Sequence, residues 1–433
     1  MRRRRVLAGL VGVTAGGIAA SWSGCGPLSG GGGTRGPVTL KLLSHYGEGA
    51  LKDELQRAVD DWNAGQSRSR VETVPVRFED LLTTVVVRQA AGQGADILHL
   101  YALWTGQLVR AGVLRPIPAH DVRLVRSGFP NAATQAVSVE GTVFGYPTEG
   151  QTYGLYCNRR LLAAAGAAGP PRTWRELEAV ARAATRRDHH GNTVVQGLAL
   201  SRGDDSDSVN QVLALVAARG GAFLTPDGRR CALGSPSGEA VFSLQRRLVR
   251  SGVTDPAIDM YTAFSAGRAA MAVNGRWWCG SLLASMGERY HDVLTTALPG
   301  GRGTLATAYL MGVNTQCRHP EPAWEFVRWL NADSTRIAGA LVTRMSALQW
   351  VAGSMTARIA DIQALFGEHG DPNARPFLDA LAYATPEPNG PKAQQAKALL
   401  RKNIEEMWSG RLSAAEAIGI TCRQVDRELC HPG

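Results

Sequence analysis

The segment VTLKLL at residues 38–43 is a short apolar run that predicts a β-strand. Apolar residues at three- and four-residue spacing follow it and would share one face of a helix: Leu51, Leu55, Ala58, Val59 and Trp62. The alternation then repeats, with strands predicted at 71–76 and 97–100 and helices at 81–91 and 104–111. This order is typical of a mostly parallel sheet with helices on both faces, and it predicts an α/β fold.

The same alternation continues beyond Gly145. Strands are predicted at 153–157, 197–200 and 269–274, and helices at 159–165, 173–186, 208–219, 238–251, 321–331, 394–408 and 414–429. Thr173 and Glu176 have the spacing of a capping box, which marks the start of one of these helices. At roughly 100–200 residues per domain, the 433 residues suggest two or three domains.

The formal net charge of +10 does not indicate a nucleic-acid partner. Four arginines stand at positions 2–5, and without residues 1–24 the chain carries 43 basic and 37 acidic residues, a net charge of +6. The remaining charge is scattered, and the sequence has no basic stripe with interleaved aromatic residues. We therefore expect no binding to nucleic acid.

The N-terminus has the order of a bacterial export signal. Its four arginines precede an apolar run at 6–20, which is shorter than the roughly 20 residues needed to span a bilayer. SGC at 23–25 resembles a lipobox, in which the cysteine takes a diacylglycerol, although Trp22 stands where leucine is usual. This predicts a lipoprotein signal peptide at 1–24, exported by the Sec or twin-arginine route, and lipid attachment at Cys25.

Residues 25–36 are rich in glycine and predict a flexible tether behind the lipid. Such a coil has an r.m.s. reach of about 20 Å. It would hold a folded body just off the membrane and leave it free to reorient. We therefore expect a monomeric, lipid-anchored protein on the outer face of the cytoplasmic membrane.

Six further cysteines lie in the body, in what would be an oxidising compartment: Cys157, Cys231, Cys279, Cys317, Cys422 and Cys430. The sequence has no Cys-x-x-Cys and no Cys/His cluster with zinc spacing, so no metal site is predicted. Cys422 and Cys430 are close in sequence, but eight residues of helix would separate their Cα atoms by about 12 Å, too far for a disulfide. The pairing stays open, and several of these cysteines could equally be buried small hydrophobic residues.

Seven groups of short motifs carry a family resemblance, and they occur in a fixed order. They are GADI at 94–97, residues 108–118, GYP at 145–147 with YGLYCN at 153–158, PPRTW at 170–174, FSAGRAAMA at 264–272 with GRW at 275–277, LPG at 298–300, and PAWEF at 322–326. Together they resemble the motifs of the extracellular solute-binding proteins of ABC importers, the family that includes maltose-binding protein. The resemblance extends over residues 38–430.

This resemblance implies a periplasmic-binding-protein-like fold, in which two α/β lobes are joined by a hinge and a ligand cleft lies between them. The expected lobes are 37–146 plus 272–333 for lobe one and 150–270 plus 336–430 for lobe two. Residues 145–150 and the stretches near Asn274 and Asn331 would form the hinge. A ligand that touches both lobes favours the closed form, which would then deliver it to membrane permease subunits. No cofactor is implied.

Trp277, in the GRW motif, matches the ligand-stacking tryptophan of the family, and Trp278 directly after it is a candidate second wall. Ligand residues are also expected where predicted strands end, because open α/β sheets bind ligands at their carboxyl edge. The other candidates are Tyr46, Glu48, Tyr101, Trp104, Glu149, Tyr153, Asp207, Asn210 and Tyr309. For each, the alternative is a structural role as a loop residue, a helix cap or a core residue.

The expected ligand is a mono- or oligosaccharide, because paired tryptophans suit the apolar faces of sugars better than a polyol phosphate, a polyamine or a peptide. Maltose-binding relatives usually carry an aromatic residue after a proline-rich turn, whereas KAQQ follows PNGP at 388–391 here. This departure argues against a long maltodextrin-like ligand. A surface-anchored glycoside hydrolase is the competing class, but the sequence has no Gly-x-Ser-x-Gly, His-Glu-x-x-His or phosphate-loop motif. We therefore expect a binding protein rather than an enzyme.

Overall fold

The computed structural model describes residues 37–203, 205–301, 303–337, 339–366 and 371–430. The predicted signal peptide at 1–24, the tether at 25–36 and the lipid-attachment residue Cys25 lie outside the described residues and remain predictions. In the described part of the chain, no helix is both long and apolar enough to cross a bilayer.

Strands and helices alternate from Val38 to Arg110, as the sequence predicts, and later parts of the described chain contain runs of consecutive helices; Ala199, in the strand predicted at 197–200, forms an isolated bridge. The strands are β1 Val38–Ser44, β2 Ser69–Pro75, β3 Ile97–Tyr101, β4 Ser138–Val139, β5 Thr142–Val143, β6 Tyr146–Asn158, β7 Arg186–Arg187, β8 Thr193–Val195, β9 Met271–Gly275, β10 Val293–Thr296, β11 Leu305–Val313, β12 Ser334–Ile337, β13 Ala340–Thr343 and β14 Thr385–Pro386. The helices are α1 Gly49–Gly65, α2 Phe78–Ala90, α3 Thr105–Arg110, α4 Ala119–Gly128, α5 Asn131–Ala136, α6 Arg159–Ala164, α7 Trp174–Ala184, α8 Asp205–Ala218, α9 Pro236–Arg250, α10 Met260–Ser265, α11 Trp278–Met286, α12 Pro320–Asn331, α13 Arg344–Val351, α14 Ile359–Leu365, α15 Arg375–Ala380, α16 Ala393–Trp408 and α17 Ala414–Cys430. Short 3₁₀ helices occupy Ala102–Trp104 and Gly287–Asp292.

The main sheet has the strand order β10-β6-β11-β3-β1-β2, with β9 added to β6 and β14 to β11. Strands β2 and β3 both lie parallel to β1, as expected from the alternating start of the chain. Strand β11 is antiparallel to both β3 and β6. The expectation of a mostly parallel sheet is therefore right for the first three strands and wrong for the whole sheet, which is mixed because β6 and β11 run between its two halves in opposite directions.

Three clusters of buried side chains fill the molecule. The first core lies between β1, β3, β11 and helices α1 and α12. The second core is formed mainly by helices α8, α9, α16 and α17, and a smaller third core packs β9, α10, α11 and α15 together. The architecture is the two-lobed α/β fold that the sequence predicts.

Strands β6 and β11 connect the cores. All thirteen residues of β6 are buried. The strand begins at Tyr146, opposite Met311 of the first core, and near its other end Cys157 lies opposite Met271 of the second. The β6–β11 pairing shifts register between Ala308 and Leu310, opposite the segment that the sequence predicts as a hinge. A register shift of this kind bends the strand and interrupts the ladder hydrogen bonds locally, and the hinge itself stays a prediction.

The predicted division into lobes, at 37–146 plus 272–333 and at 150–270 plus 336–430, stays a prediction. The packing of two segments favours assigning them differently. Helix α11 buries its side chains in the third core beside Phe264, although residues 272–333 were expected in lobe one. Met345 and Leu348 of α13 pack in the first core, although their segment was expected in lobe two.

One disulfide joins Cys231, in the segment before α9, to Cys422 on α17, with the Cα atoms 5.0 Å apart. The partner of Cys422 is thus 191 residues away in sequence, whereas Cys430 lies on the same helix, as expected. Among the other described cysteines, Cys157, Cys279 and Cys317 are buried with free thiols. The disulfide fastens the C-terminal helix to the second core.

Candidate functional site

The ends of β1 and β3 bring the first candidate side chains together. The two strands pair in parallel, so the segments that follow them leave the sheet at the same edge. His45 and Tyr46 follow β1, while Tyr101 ends β3 and Trp104 ends the 3₁₀ helix after it. Tyr46, Tyr101 and Trp104 are all buried, and Tyr46 and Tyr101 bring polar hydroxyls into the site.

These rings form a continuous aromatic cluster. The ring of Tyr309 stacks on His45 with centroids 4.4 Å apart, and it lies 5.2 Å from the ring of Tyr101. Trp104 meets Tyr101 edge-on at 5.6 Å. Tyr309 stands at the register shift of β11, pairs with Tyr101 of β3 and is half-buried.

Glu149 is the acceptor at the centre of the first polar group. The Tyr46 hydroxyl donates to Glu149 Oε1 at 2.5 Å, and Gln151 Nε2 and the Ser354 hydroxyl each lie 3.3 Å from Glu149 Oε2. His45 Nε2 is 3.6 Å from Oε1. Burial alone would raise the pKa of Glu149, but His45 and the donated hydrogen bonds outweigh it, so the pKa is lowered and the carboxylate stays an ionised acceptor.

The contact between Tyr46 and Glu149, which lowers the pKa of Glu149, raises the pKa of Tyr46. Burial and the neighbouring Glu149 carboxylate hold the pKa of the Tyr46 hydroxyl well above its ordinary value. Tyr46 therefore remains a hydrogen-bond donor across the physiological pH range. Gln349 Nε2 on α13 also contacts this hydroxyl, which links the group to a third element.

A second polar group joins the first core to the second. Lys397 on α16 is fully buried, and its Nζ donates to Glu387 Oε1 at 2.5 Å and to Asn210 Oδ1 at 2.8 Å. The Tyr101 hydroxyl donates to Glu387 Oε2 at 2.5 Å. Asn210 Nδ2 in turn donates to the hydroxyls of Tyr101, at 3.2 Å, and Tyr153, at 3.1 Å. Each buried charge in this group therefore has an opposite charge or a hydrogen bond.

Trp277 lies at the side of the site formed by β9 and α10. Its ring is half-buried and lies 5.9 Å from that of Tyr261, whose hydroxyl donates to Asp207 Oδ2 at 2.7 Å. The backbone N–H of Trp277 donates to Gln151 Oε1 at 3.1 Å. Because Gln151 also bonds Glu149, the tryptophan is connected to the first polar group.

Two sequence candidates are not among the residues that form these contacts. Glu48 is exposed ahead of α1, and its side chain does not cap that helix. Trp278 is only 2% exposed and packs in the third core against Tyr156 and Phe264, so its position does not support a second ligand wall. Trp277 packs at the margin of the same core and stays half-buried, whereas Trp278 lies inside it, because adjacent residues at a helix start point in different directions.

Several site residues were missed at the sequence level. Lys397 and Glu387 meet only through the fold, and a lone lysine in a helical pattern gives no signal of burial. Phe78 and Tyr261 read as ordinary apolar positions at helix starts. Among the missed site residues, His45 was the easiest to predict, because it stands beside Tyr46 directly after a predicted strand.

His99 is fully buried beside Tyr46, and we expect it to make the stability of the folded protein depend on pH. Its Nδ1 pairs with the Ser44 hydroxyl at 3.1 Å and its Nε2 with the Thr148 hydroxyl at 2.9 Å. Burial, and then the nearby His45, hold its pKa well below the ordinary value of about 6.5. The unfolded chain therefore binds a proton near pH 6.5 that the folded protein does not, so stability is complete above that pH and falls as the pH drops below it.

We expect His99→Gln to make this loss shallower. The slope of the unfolding free energy against pH, between pH 6.5 and 5, should decrease by at most about 1.4 kcal/mol per pH unit, the value for one proton. Urea unfolding at a series of pH values measures it. His189→Gln, in an exposed loop, is the matched control and should leave the slope unchanged; an equal effect of both variants would contradict the assignment to His99.

Among the residues that the structure describes, no group of three or more His, Cys, Asp or Glu side chains is placed to hold a metal ion. The site instead combines aromatic faces with ionised acceptors, hydroxyl donors and amides. Such a combination suits an uncharged polar solute that has apolar faces.

Comparison with known proteins places the chain in a class. Residues 48–336, more than half of the chain, match the family described as bacterial extracellular solute-binding protein. A binding protein of Brucella abortus is 22% identical over 306 residues, which are 68% of this chain and 72% of that protein. The maltotriose-binding protein of Pyrococcus abyssi is 24% identical over 272 residues, which are 61% of this chain and 56% of that protein.

Solved structures show the same fold. The cyclic α-maltosyl-1,6-maltose binding protein of Arthrobacter globiformis matches with a TM-score of 0.75 at 22% identity, over 91% of this chain and 99% of that one. An ABC transporter solute-binding protein of Thermotoga lettingae, solved with α-D-tagatose, matches with a TM-score of 0.77 at 18% identity, over 90% and 100%. The fold is that of these two solute-binding proteins. The chain belongs to the family of bacterial extracellular solute-binding proteins.

Proposed function

We propose that this protein is the carbohydrate-binding component of an ABC importer, which captures a mono- or oligosaccharide between its lobes. The main support for the proposal is that aromatic rings and hydrogen-bonding groups of the first and the second core converge at one edge of the sheet. Tyr46 and Tyr101 come from the first core, while Tyr153 and Asn210 come from the side of the second.

Sugar chemistry fits this lining. A pyranose presents apolar C–H faces that stack on rings such as Trp277 and hydroxyl edges that need both donors and acceptors. The lowered pKa of Glu149 keeps an ionised acceptor for sugar hydroxyls. The relatives named for maltotriose and for cyclic maltosyl-maltose support the same ligand class.

A phosphorylated ligand fits less well. Such a ligand needs converging cations or helix N-termini. Arg276, directly before Trp277, already donates to the Gly353 carbonyl at 2.8 Å and lies 3.3 Å from Asp371 Oδ2. Its guanidinium is thus engaged within the protein, and the cation Lys397 is engaged by Glu387.

Binding would work by a shift between open and closed arrangements of the lobes. A ligand that contacts residues of both lobes stabilises the closed form by its differential affinity. The register shift between β6 and β11 is the place where this motion would be absorbed. The closed protein, held near the outer face of the membrane by the lipid on Cys25 and the tether, would then deliver its ligand to the permease subunits.

The first prediction from this proposal concerns Trp277. A sugar at about 100 times its dissociation constant should stabilise the protein by about 2.7 kcal/mol, raising the melting temperature and shifting tryptophan emission. Trp277→Ala should remove the stacking face and weaken binding at least about tenfold, which is about 1.4 kcal/mol. Thermal unfolding with a panel of sugars measures the stabilisation, and calorimetric titration measures the affinities. Trp350→Ala, at a tryptophan 44% exposed on α13, is the matched control and should bind as the wild type does.

Two outcomes would overturn the proposal. If anions, polyamines or peptides shift the melting temperature while no sugar in the panel does, the ligand is another polar solute. If the protein releases product from a chromogenic glycoside, and Glu149→Gln abolishes that release, the protein is a glycoside hydrolase.

A further inference from the structure

Phe78 belongs to the same sheet edge as the site but has no part in the ligand chemistry described so far. It is the first residue of α2 and follows β2, the strand that pairs in parallel with β1. The segments after β1, β2 and β3 therefore leave the sheet side by side. In this row, Phe78 is the aromatic residue that the β2–α2 connection contributes.

The half-buried ring of Phe78 packs against four rings of the aromatic cluster. It stacks on Trp104 with centroids 5.7 Å apart and planes 24° from parallel. The rings of Tyr101, His45 and Tyr309 surround it at 5.9, 6.3 and 6.3 Å. Phe78 thus covers part of the Trp104 ring, an aromatic surface of the kind on which the apolar face of a sugar stacks.

The contacts of Trp104 show that little of its ring is open to a ligand. The indole is only 6% exposed, its Nε1 donates to Gln394 Oε1 at 3.0 Å, and Tyr101 meets it edge-on. While Phe78 stays in place, Trp104 has no free face on which a pyranose could stack. A sugar could reach that face only by displacing Phe78 and separating it from its ring contacts.

We propose that Phe78 sets the length of the carbohydrate that the site accepts. The inference rests on the proposed function and adds to it that the ligand ends at Phe78, so that mono- and disaccharides are bound in preference to longer chains. Phe78 occupies the position of one further sugar unit and closes that end of the site. Trp104 then acts as the support for Phe78 and becomes a stacking platform only when the phenyl ring is removed.

The test is a comparison of oligosaccharide lengths by calorimetric titration. The probes are glucose and the di-, tri- and tetrasaccharides of the malto and cello series, titrated into the wild type, Phe78→Ala, Phe78→Leu and Val87→Ala. In the wild type, the trisaccharide of the series that binds should be at least tenfold weaker than the disaccharide. Phe78→Ala should remove this penalty, improving the trisaccharide-to-disaccharide affinity ratio about tenfold. Val87→Ala, at an exposed position of the same helix, should keep the wild-type ratio.

Phe78→Leu covers the case in which the alanine variant does not fold. Leucine retains apolar packing but lacks the flat ring, so it should still improve the ratio several-fold. If the wild type binds sugars and neither Phe78 variant changes the ratio, the inference about length is wrong while the proposed function stands. If the wild type already binds the trisaccharide as tightly as the disaccharide, the inference is also wrong. If the wild type binds no sugar of the panel, the proposed function and the inference about length are both wrong.

Discussion

Replacing Lys397 with methionine is expected to destabilise the protein by about 3–5 kcal/mol, the usual cost of leaving one partner of a buried ion pair alone. The Lys397 side chain is fully buried, and its Nζ holds Glu387 at 2.5 Å and Asn210 at 2.8 Å. Methionine has a similar length but no charge, so the Glu387 carboxylate would remain buried without a counter-charge. Urea unfolding followed by circular dichroism measures the loss.

A double variant separates the charge effect from lost packing. In Lys397→Met combined with Glu387→Gln, no buried charge is left unpaired, and the glutamine oxygen can still accept from the Tyr101 hydroxyl. We expect the double variant to recover most of the lost stability. Arg375→Met breaks an exposed pair with Asp379 and should change stability little. If Lys397→Met were as mild as Arg375→Met, the buried pair would not carry the stability that we assign to it.

Removing the disulfide is expected to have the second largest effect. Cys231→Ser combined with Cys422→Ser should lower the free energy of unfolding by about 2–4 kcal/mol. The bond closes a loop of 191 residues and fastens α17 to the segment before α9, so its loss frees a large part of the unfolded chain. Urea unfolding of the oxidised wild type and the double variant measures the difference.

A reductant provides the control. Dithiothreitol should shift the wild type toward the stability of the double variant and leave the double variant itself unchanged. Cys317→Ser, at a buried free thiol, should still show the response to reductant. A wild type whose stability did not respond to reductant would show that the bond between Cys231 and Cys422 does not contribute to folding.

Much of the fold could be predicted because it depends on local patterns. The apolar spacing of 38–62 fixes the order of β1 and α1, and the capping box at Thr173 and Glu176 forms at the start of α7 as expected. The family motifs identified the two-lobed architecture. The meeting of Tyr46, Tyr101 and Trp104 at one edge of the sheet could also be predicted, since parallel strands place their carboxyl ends together.

The contacts inside the site could not be predicted, because they join residues that are far apart in sequence. Tyr46 meets Glu149 across 103 positions, and Tyr101 meets Glu387 across 286. The sequence offered Trp278, directly after Trp277, as a candidate second wall, and only the packing of α11 shows that Trp278 belongs to a core. It also gave no reason to place Lys397 in the interior, since a buried lysine requires an acidic partner that the chain supplies from another element.

The sequence by itself determined the alternating strands and helices at the start of the chain, the family and the sheet edge at which Tyr46, Tyr101 and Trp104 meet, because periodicity, caps and strand ends are local properties of the chain. The tertiary structure alone decided the Cys231–Cys422 bond, the pairing of Lys397 with Glu387, and the position of Phe78 against Trp104. Each of these depends on which distant segments pack together, and that choice is made by burial of the whole apolar surface rather than by any short stretch of residues.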